Sequence, residues 1–213
     1  LRASSPVHDL AGYVCNYADA TGGHLPLVAT LNAGRNFDAG ATVLGCTHAE
    51  LSELALQAAP GAEGLTLLPF FEGERTPDLP HARASMLGAS LANFTRPNFA
   101  RAVIEGTMVS QVAMLDALSA CGLPVDRLLL IGGAASSPAV QTILAELVAA
   151  PVCLPAVDEY VTKGAAMQAV SALEGEFPHW SVTVEEIPSV PFEDRPARQH
   201  AEAMSAMGYL PQS

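Results

Sequence analysis

The residues with the clearest chemical potential are six small ones in a row, Gly132-Gly133-Ala134-Ala135-Ser136-Ser137. They separate an apolar run, Leu128 to Ile131, from a pattern in which apolar residues return at Val140, Ile143, Leu144, Leu147 and Val148. The first reads as a short buried strand and the second as a helix with its 3.6-residue period. Ser137 suits the N-cap, and Pro138 the first helical position, where a missing N–H costs nothing. Two readings stay open. Any interior strand-turn-helix unit could carry this pattern. Alternatively, because no bulky side chain fills the turn, an anion or a nucleotide could approach the backbone at the positive end of the helix. The turn is not a P-loop, since GxxxxGK[ST] occurs nowhere, and GGAA lacks the GxGxxG spacing of a dinucleotide site.

A second concentration of reactive types is the loop EGERTPD, which places Glu72, Glu74, Arg75 and Asp78 directly after the apolar stretch Gly64 to Phe71. Strand ends are where α/β proteins place their sites, so Arg75 and one acid could line a substrate cleft. A solvated loop with an internal Arg–carboxylate pair fits the same residues. Too few ligand types gather for a metal site, and acids on one loop do not make the facing pair that a glycosidase requires. Asp158-Glu159 ahead of Lys163-Gly164-Ala165-Ala166 is another turn into a helix with small residues at its start. It either packs closely on a sheet or faces the GGAA turn across a flat ligand. The six histidines are dispersed without HExxH and read as satisfied or solvent-facing. Cys15, Cys46, Cys121 and Cys153 form no CxxC and lie in or beside apolar segments, which reads as buried free thiols in a reducing compartment. Neither Ser136 nor Ser137 sits in GxSxG, so a hydrolase elbow lacks support.

The elements that must position these groups follow from periodicity. Val7 to Asp19 and Leu25 to Leu31, joined at Thr21-Gly22-Gly23, read as an antiparallel pair. Asn32 to Gly45 is ambiguous, with Phe37, Ala41 and Leu44 at helical spacing. Thr47 with Glu50 three residues on is a capping box, opening a helix that carries Leu51, Leu54, Ala55 and Ala58 and stops at Pro60-Gly61. Gly64 to Phe71 is a buried strand, and Met86 to Leu91 a strand or turn. The longest helix runs from about Asn98 to Cys121, with Phe99, Ala102, Val103, Met108, Val112, Leu115 and Leu118 on its apolar face and Gly122 at its end. After the central unit come a strand at Val152 to Leu154, a helix from Lys163 to Leu173, an edge strand or tail at Trp180 to Ile187, and a last helix from Arg198 to Met207. Strands alternating with helices, with an early hairpin, imply a mixed sheet covered by helices in an α/β fold.

Composition narrows the function classes. The chain has 213 residues, 50% of them hydrophobic and 15% charged, a globular profile rather than a disordered one. The formal net charge of -12 argues against a surface evolved to collect nucleic-acid phosphates. It leaves room for a single nucleotide, which needs only local donors. No signal peptide and no long uncharged apolar span is evident, so no membrane is expected and the cytoplasm is the default. The start, LRASSPVHD, reads as the interior of a longer polypeptide.

Taken together, several of these segments resemble the C-terminal domain of the FGGY carbohydrate kinases, and within that family the members acting on xylulose. They are LLPFFEGERTP at Leu67 to Pro77, ASMLGASLANFTRPNFARAVIE at Ala84 to Glu105, LIGGAASSPAVQTILAEL at Leu130 to Leu147, and Asp158 with Gly164-Ala165-Ala166. The resemblance reaches from about residue 7 to residue 173. It implies an actin/hexokinase-like (ribonuclease H-like) fold, so that residues 1–175 form the C-terminal domain of a sugar kinase and residues 176–213 a tail or helix packing on it. It further implies ATP and Mg²⁺ between two domains, a sugar held mostly by an upstream N-terminal kinase domain, and phosphorylation of a ketopentose, D-xylulose above others. The nucleotide contact would fall on Gly132, Gly133, Ala134, Ser137 and Gln141, with Ala135 and Ser136 in the same turn. Ala134 for a third glycine, Ser136 for a basic residue and Ala89 for an aliphatic one are departures. No catalytic residue of the family and no metal ligand maps onto this chain, which alone is expected to be inactive. A homodimer is a candidate assembly, and the rival function is a non-catalytic actin-like module that holds a nucleotide or a protein partner.

Overall fold

The computed structural model describes residues 2–209, so Leu1 and the last residues of the expected tail, 210–213, lie outside the described residues. The early hairpin is present: β1 (Cys15–Ala18) pairs antiparallel with β2 (His24–Leu27), with Cys15 opposite Leu27. The ambiguous stretch is a helix, α1 (Arg35–Leu44), closed by Gly45 in the left-handed conformation. α2 (His48–Leu56) opens on the expected reciprocal capping box of Thr47 and Glu50. β3 (Thr66–Leu68) pairs antiparallel with β4 (Ser85–Leu87). Then α3 (Arg96–Ala120) is capped by Thr95, and Gly122 follows its end with positive φ.

β5 (Leu128–Leu129) pairs parallel with β6 (Val152–Pro155), and the chain between them is α4 (Pro138–Leu147), as the central pattern requires. α5 (Tyr160–Glu174) follows. β7 (Val184–Glu186) adds antiparallel to β6, and α6 (Arg195–Ala206) closes the chain against β3 and α3. The mixed sheet is therefore β5-β6-β7. The hairpin and the β3-β4 pair form separate sheets, and Tyr17, Leu25 and Leu27 of the hairpin stay exposed.

The main core gathers around α3. Phe37 and Ala41 of α1, Leu51 and Ala55 of α2, Leu67 of β3 and Val140 and Ile143 of α4 meet Val103, Ile104 and Met108. Glycine permits the closest approaches. A Cβ on Gly106 would lie 2.2 Å from the Leu67 carbonyl oxygen, and one on Gly40 would lie 2.8 Å from Val103. These contacts let α3 lie on β3 and let α1 cross α3 without an intervening side chain.

Two expectations about burial need correction. The sequence shows one apolar face on the longest helix, whereas the first half of α3 is buried on every side, from Ala100 to Ser110. Arg101 and Glu105 are buried because they satisfy each other: Arg101 Nε and Nη2 donate to Glu105 at 3.0 and 2.8 Å. Glu146 of α4 takes a further bond from Arg101, and the Gly61 N–H donates to Glu105 at 3.0 Å. The cysteines are all free, yet only Cys153 is buried, while Cys15, Cys46 and Cys121 are partly exposed. Their segments are apolar but lie in the hairpin and at helix ends, where part of each residue meets solvent.

Candidate functional site

The GGAASS turn forms one wall of a cavity of about 790 Å³. Leu130 to Ala134, Ser136 and Ser137 come from the turn, Phe37 and Asp38 from α1, and His48, Ala49, Leu51, Ser52, Glu53 and Leu56 from α2. Ile104, Met108 and Gln111 of α3 close the floor, with Val140 of α4. The floor is apolar because these are the same faces that build the main core. The rim is polar and acidic: His48 Nε2 meets Asp38 Oδ1 at 2.9 Å, and Glu53 stands beside them. An apolar slot with a few polar groups at its mouth is the form of a site for a flat organic ligand.

The start of α4 differs from the expectation. Its donors are already engaged within the protein. Ser137 Oγ accepts from the Val140 N–H at 3.5 Å, Ser52 Oγ accepts from the Ala139 N–H at 3.0 Å, and the Gln141 N–H reaches the Ser137 carbonyl at 3.1 Å. Pro138 has no N–H to offer. A phosphate seated on the helix end, as an anion at a free helix N-terminus would be, finds its donors occupied. Ligand contact then falls on the turn itself, where added Cβ atoms at Gly132 and Gly133 would meet nothing within 4 Å.

Of the residues singled out from the sequence, Gly132, Gly133, Ala134 and Ser137 line the cavity. Gln141 does not; its side-chain amide donates to the Ala135 carbonyl at 2.7 Å and so fixes the turn from behind. The helix opening at Lys163-Gly164 does not face the turn across the cavity, because the opposite wall is α1 and α2. Lys163 instead pairs with Asp158, whose carboxyl it helps hold below the usual range.

The EGERTPD loop is also arranged otherwise than its charge pattern suggested. Arg75 pairs with neither Glu72 nor Glu74: it is exposed, and its guanidinium lies 3.8 Å from Cys15 Sγ. Glu72 is taken by Arg35 at 2.9 and 3.2 Å. Glu74 points inward, buried, and accepts the N–H groups of Leu31 and Arg75 at 2.7 Å each and the Asn32 amide at 3.0 Å. The loop therefore fastens the entry to α1, which lines the cavity, and its own residues stay outside the lining. Phe37, His48, Met108, Gln111 and Ser52 are cavity residues that the sequence did not reveal. Among the described residues no three His, Cys, Asp or Glu side chains gather as a metal site.

Helices around one mixed sheet and two antiparallel pairs, together with the likeness to solved sugar-kinase structures given below, place the chain among proteins of the actin/hexokinase-like fold. The C-terminal domain of the FGGY family of carbohydrate kinases matches residues 11–173, and the chain belongs to that family. It is 37% identical over 172 residues to a xylulose kinase of Haemophilus influenzae, a match covering 80% of this chain and 35% of that protein. It is 40% identical over 169 residues to a xylulose kinase of Streptomyces coelicolor, covering 79% and 33%. The crystal structure of xylulose kinase from Bifidobacterium adolescentis superposes with a TM-score of 0.83 at 42% identity, over 95% of this chain and 40% of that one. The chain thus spans about a third of the length of the curated relatives it matches.

Proposed function

We propose that the intact protein transfers the terminal phosphoryl group of ATP to a hydroxyl of a ketopentose, D-xylulose, and that this chain supplies the nucleotide-side half. The observation that carries the reading is the apolar cavity opening on the GGAA turn, in a chain of a kinase family whose matched relatives include xylulose kinases. In this reading the purine lies on the floor made by Phe37, Ile104, Met108 and Val140, and the backbone of Gly132 to Ala134 approaches the ribose side. Residues 1–175 form the nucleotide-side domain, and residues 176–213 form a tail that packs on it. An upstream domain supplies the sugar contacts and the base that takes the hydroxyl proton, so the work of this chain is positioning and exclusion of water. Mg²⁺ would be carried by the phosphates; the described residues of this chain offer it no cluster of ligands. The reading also makes the protein cytoplasmic, with a homodimer as the candidate assembly.

The test is ATP consumption by the full-length protein. It should rise on addition of D-xylulose and hardly at all with aldopentoses, while this chain alone should show no sugar-stimulated turnover. A flat response of the full-length protein to every ketose and polyol would defeat the reading.

A further inference from the structure

Two hydroxyls meet at the start of α4, and only one of them, Ser137, comes from the turn. Ser52 lies inside α2, is 3% exposed, and has its Oγ 3.1 Å from Ser137 Oγ and 3.0 Å from the Ala139 nitrogen. An N-cap side chain ordinarily serves its own helix at the N2 or N3 donor. Here the N2 donor is served from a different helix, 87 residues away in sequence, while the local cap at Val140 is stretched to 3.5 Å. Among the described residues, Ser52 makes the only hydrogen bonds between α2 and the stretch formed by the turn and α4. Ser52 also belongs to the cavity wall. It is therefore the polar tie across which two opposing walls of the cavity are held.

We propose that Ser52 is a positioning residue for the nucleotide: its hydroxyl fixes the Gly132 to Ser137 turn against α2 and so sets the width of the slot. This rests on the nucleotide reading given above. Apolar packing alone holds α2 against α4 without direction, whereas a hydroxyl bonded to a particular N–H and a particular Oγ fixes rotation as well as distance. Loss of that bond would leave the Ala139 N–H buried without a partner, and the turn would settle elsewhere.

The experiment measures KM for ATP, KM for the sugar and thermal stability on full-length variants. Ser52→Ala is expected to raise KM for ATP about three- to tenfold, with the sugar KM little changed, and Ser52→Thr, which restores a hydroxyl, to recover most of it. Ser110→Ala is the control for stability alone, since that buried hydroxyl bonds His200 at 3.0 Å and lies outside the cavity lining. Gly133→Val tests the site itself, because a Cβ there meets nothing within 4 Å and the added side chain blocks only an incoming ligand. If Gly133→Val raises KM for ATP and Ser52→Ala does not, the positioning role is overturned and the nucleotide site stands. If neither variant changes it, both are overturned. If Ser110→Ala raises KM for ATP as much as Ser52→Ala does, the effect is general loosening and the proposal fails. Should Ser52→Ala not fold, Ser52→Cys, nearly the same size with a weak acceptor, carries the same expectations.

Discussion

Glu74 and Arg75 are neighbours with opposite structural fates, and their variants should separate accordingly. Arg75 is exposed and, among the described residues, pairs with no carboxylate, so Arg75→Ala should alter stability by less than about 0.5 kcal/mol. Glu74→Ala removes the acceptor of the Leu31 and Arg75 N–H groups and of the Asn32 amide, and should cost about 2–4 kcal/mol as those donors lose their partner. Urea denaturation of both variants checks the contrast; equal losses would mean that Arg75 is structural after all. His200 gives a pH dependence. Burial lowers its pKa from 6.5 to about 4, where it stacks edge-on against Phe70 and bonds Ser110. The unfolded chain takes up a proton as pH falls through 6.5 and the folded chain does not. Stability is therefore full above 6.5 and falls toward pH 4, by up to about 3 kcal/mol. Glu105 opposes this: burial raises its pKa, so the fold gains from its protonation as pH falls toward 4.5. Denaturation midpoints from pH 7 to 5 should decline in Glu105→Gln at least as steeply as in the parent protein, and should flatten in His200→Gln.

At the scale of elements, what could be read from the sequence was what short-range chemistry decides. The capping box of Thr47 and Glu50, the Ser137-Pro138 helix start and the hairpin turn at Thr21-Gly22-Gly23 each involve residues within a few positions of one another, and each appears in the structure. Ser52 was illegible because its partners stand 85 and 87 residues away. The burial of Arg101 was equally illegible, since Glu146, one of its two carboxylate partners, lies 45 residues from it. Close approach of two elements is equally invisible when the enabling residue is one glycine. Gly106→Ala is expected to push α3 off β3, because its Cβ would meet the Leu67 carbonyl oxygen at 2.2 Å and backbone cannot swing aside. The cost should be about 1–3 kcal/mol despite alanine's better helix propensity. A Tm equal to or above that of the parent would show that the helix can shift freely.

At the scale of the whole molecule, the candidate site was legible as a turn but not as a cavity. Its walls come from residues 33–56, 104–111 and 130–140, and no pattern within one stretch reports on another. The sheet is likewise more broken than alternation of strands and helices implied. α5 has no buried residue, and Leu129 and Ile131 of the central run are exposed. The acidic mouth of the cavity has a consequence of a different kind. Asp38 and Glu53 stand there in a chain of net charge -12, so an approaching triphosphate meets a repulsive field that dissolved ions shield. Added electrolyte should therefore favour association of ATP with this chain, the reverse of ordinary anion capture by cationic side chains. Titration calorimetry from about 20 to about 200 mM sodium chloride should show a weak dissociation constant that tightens with salt, as the Debye length shrinks from about 20 Å to about 7 Å. Loosening with salt would instead mean that cationic groups of this chain reach the phosphates.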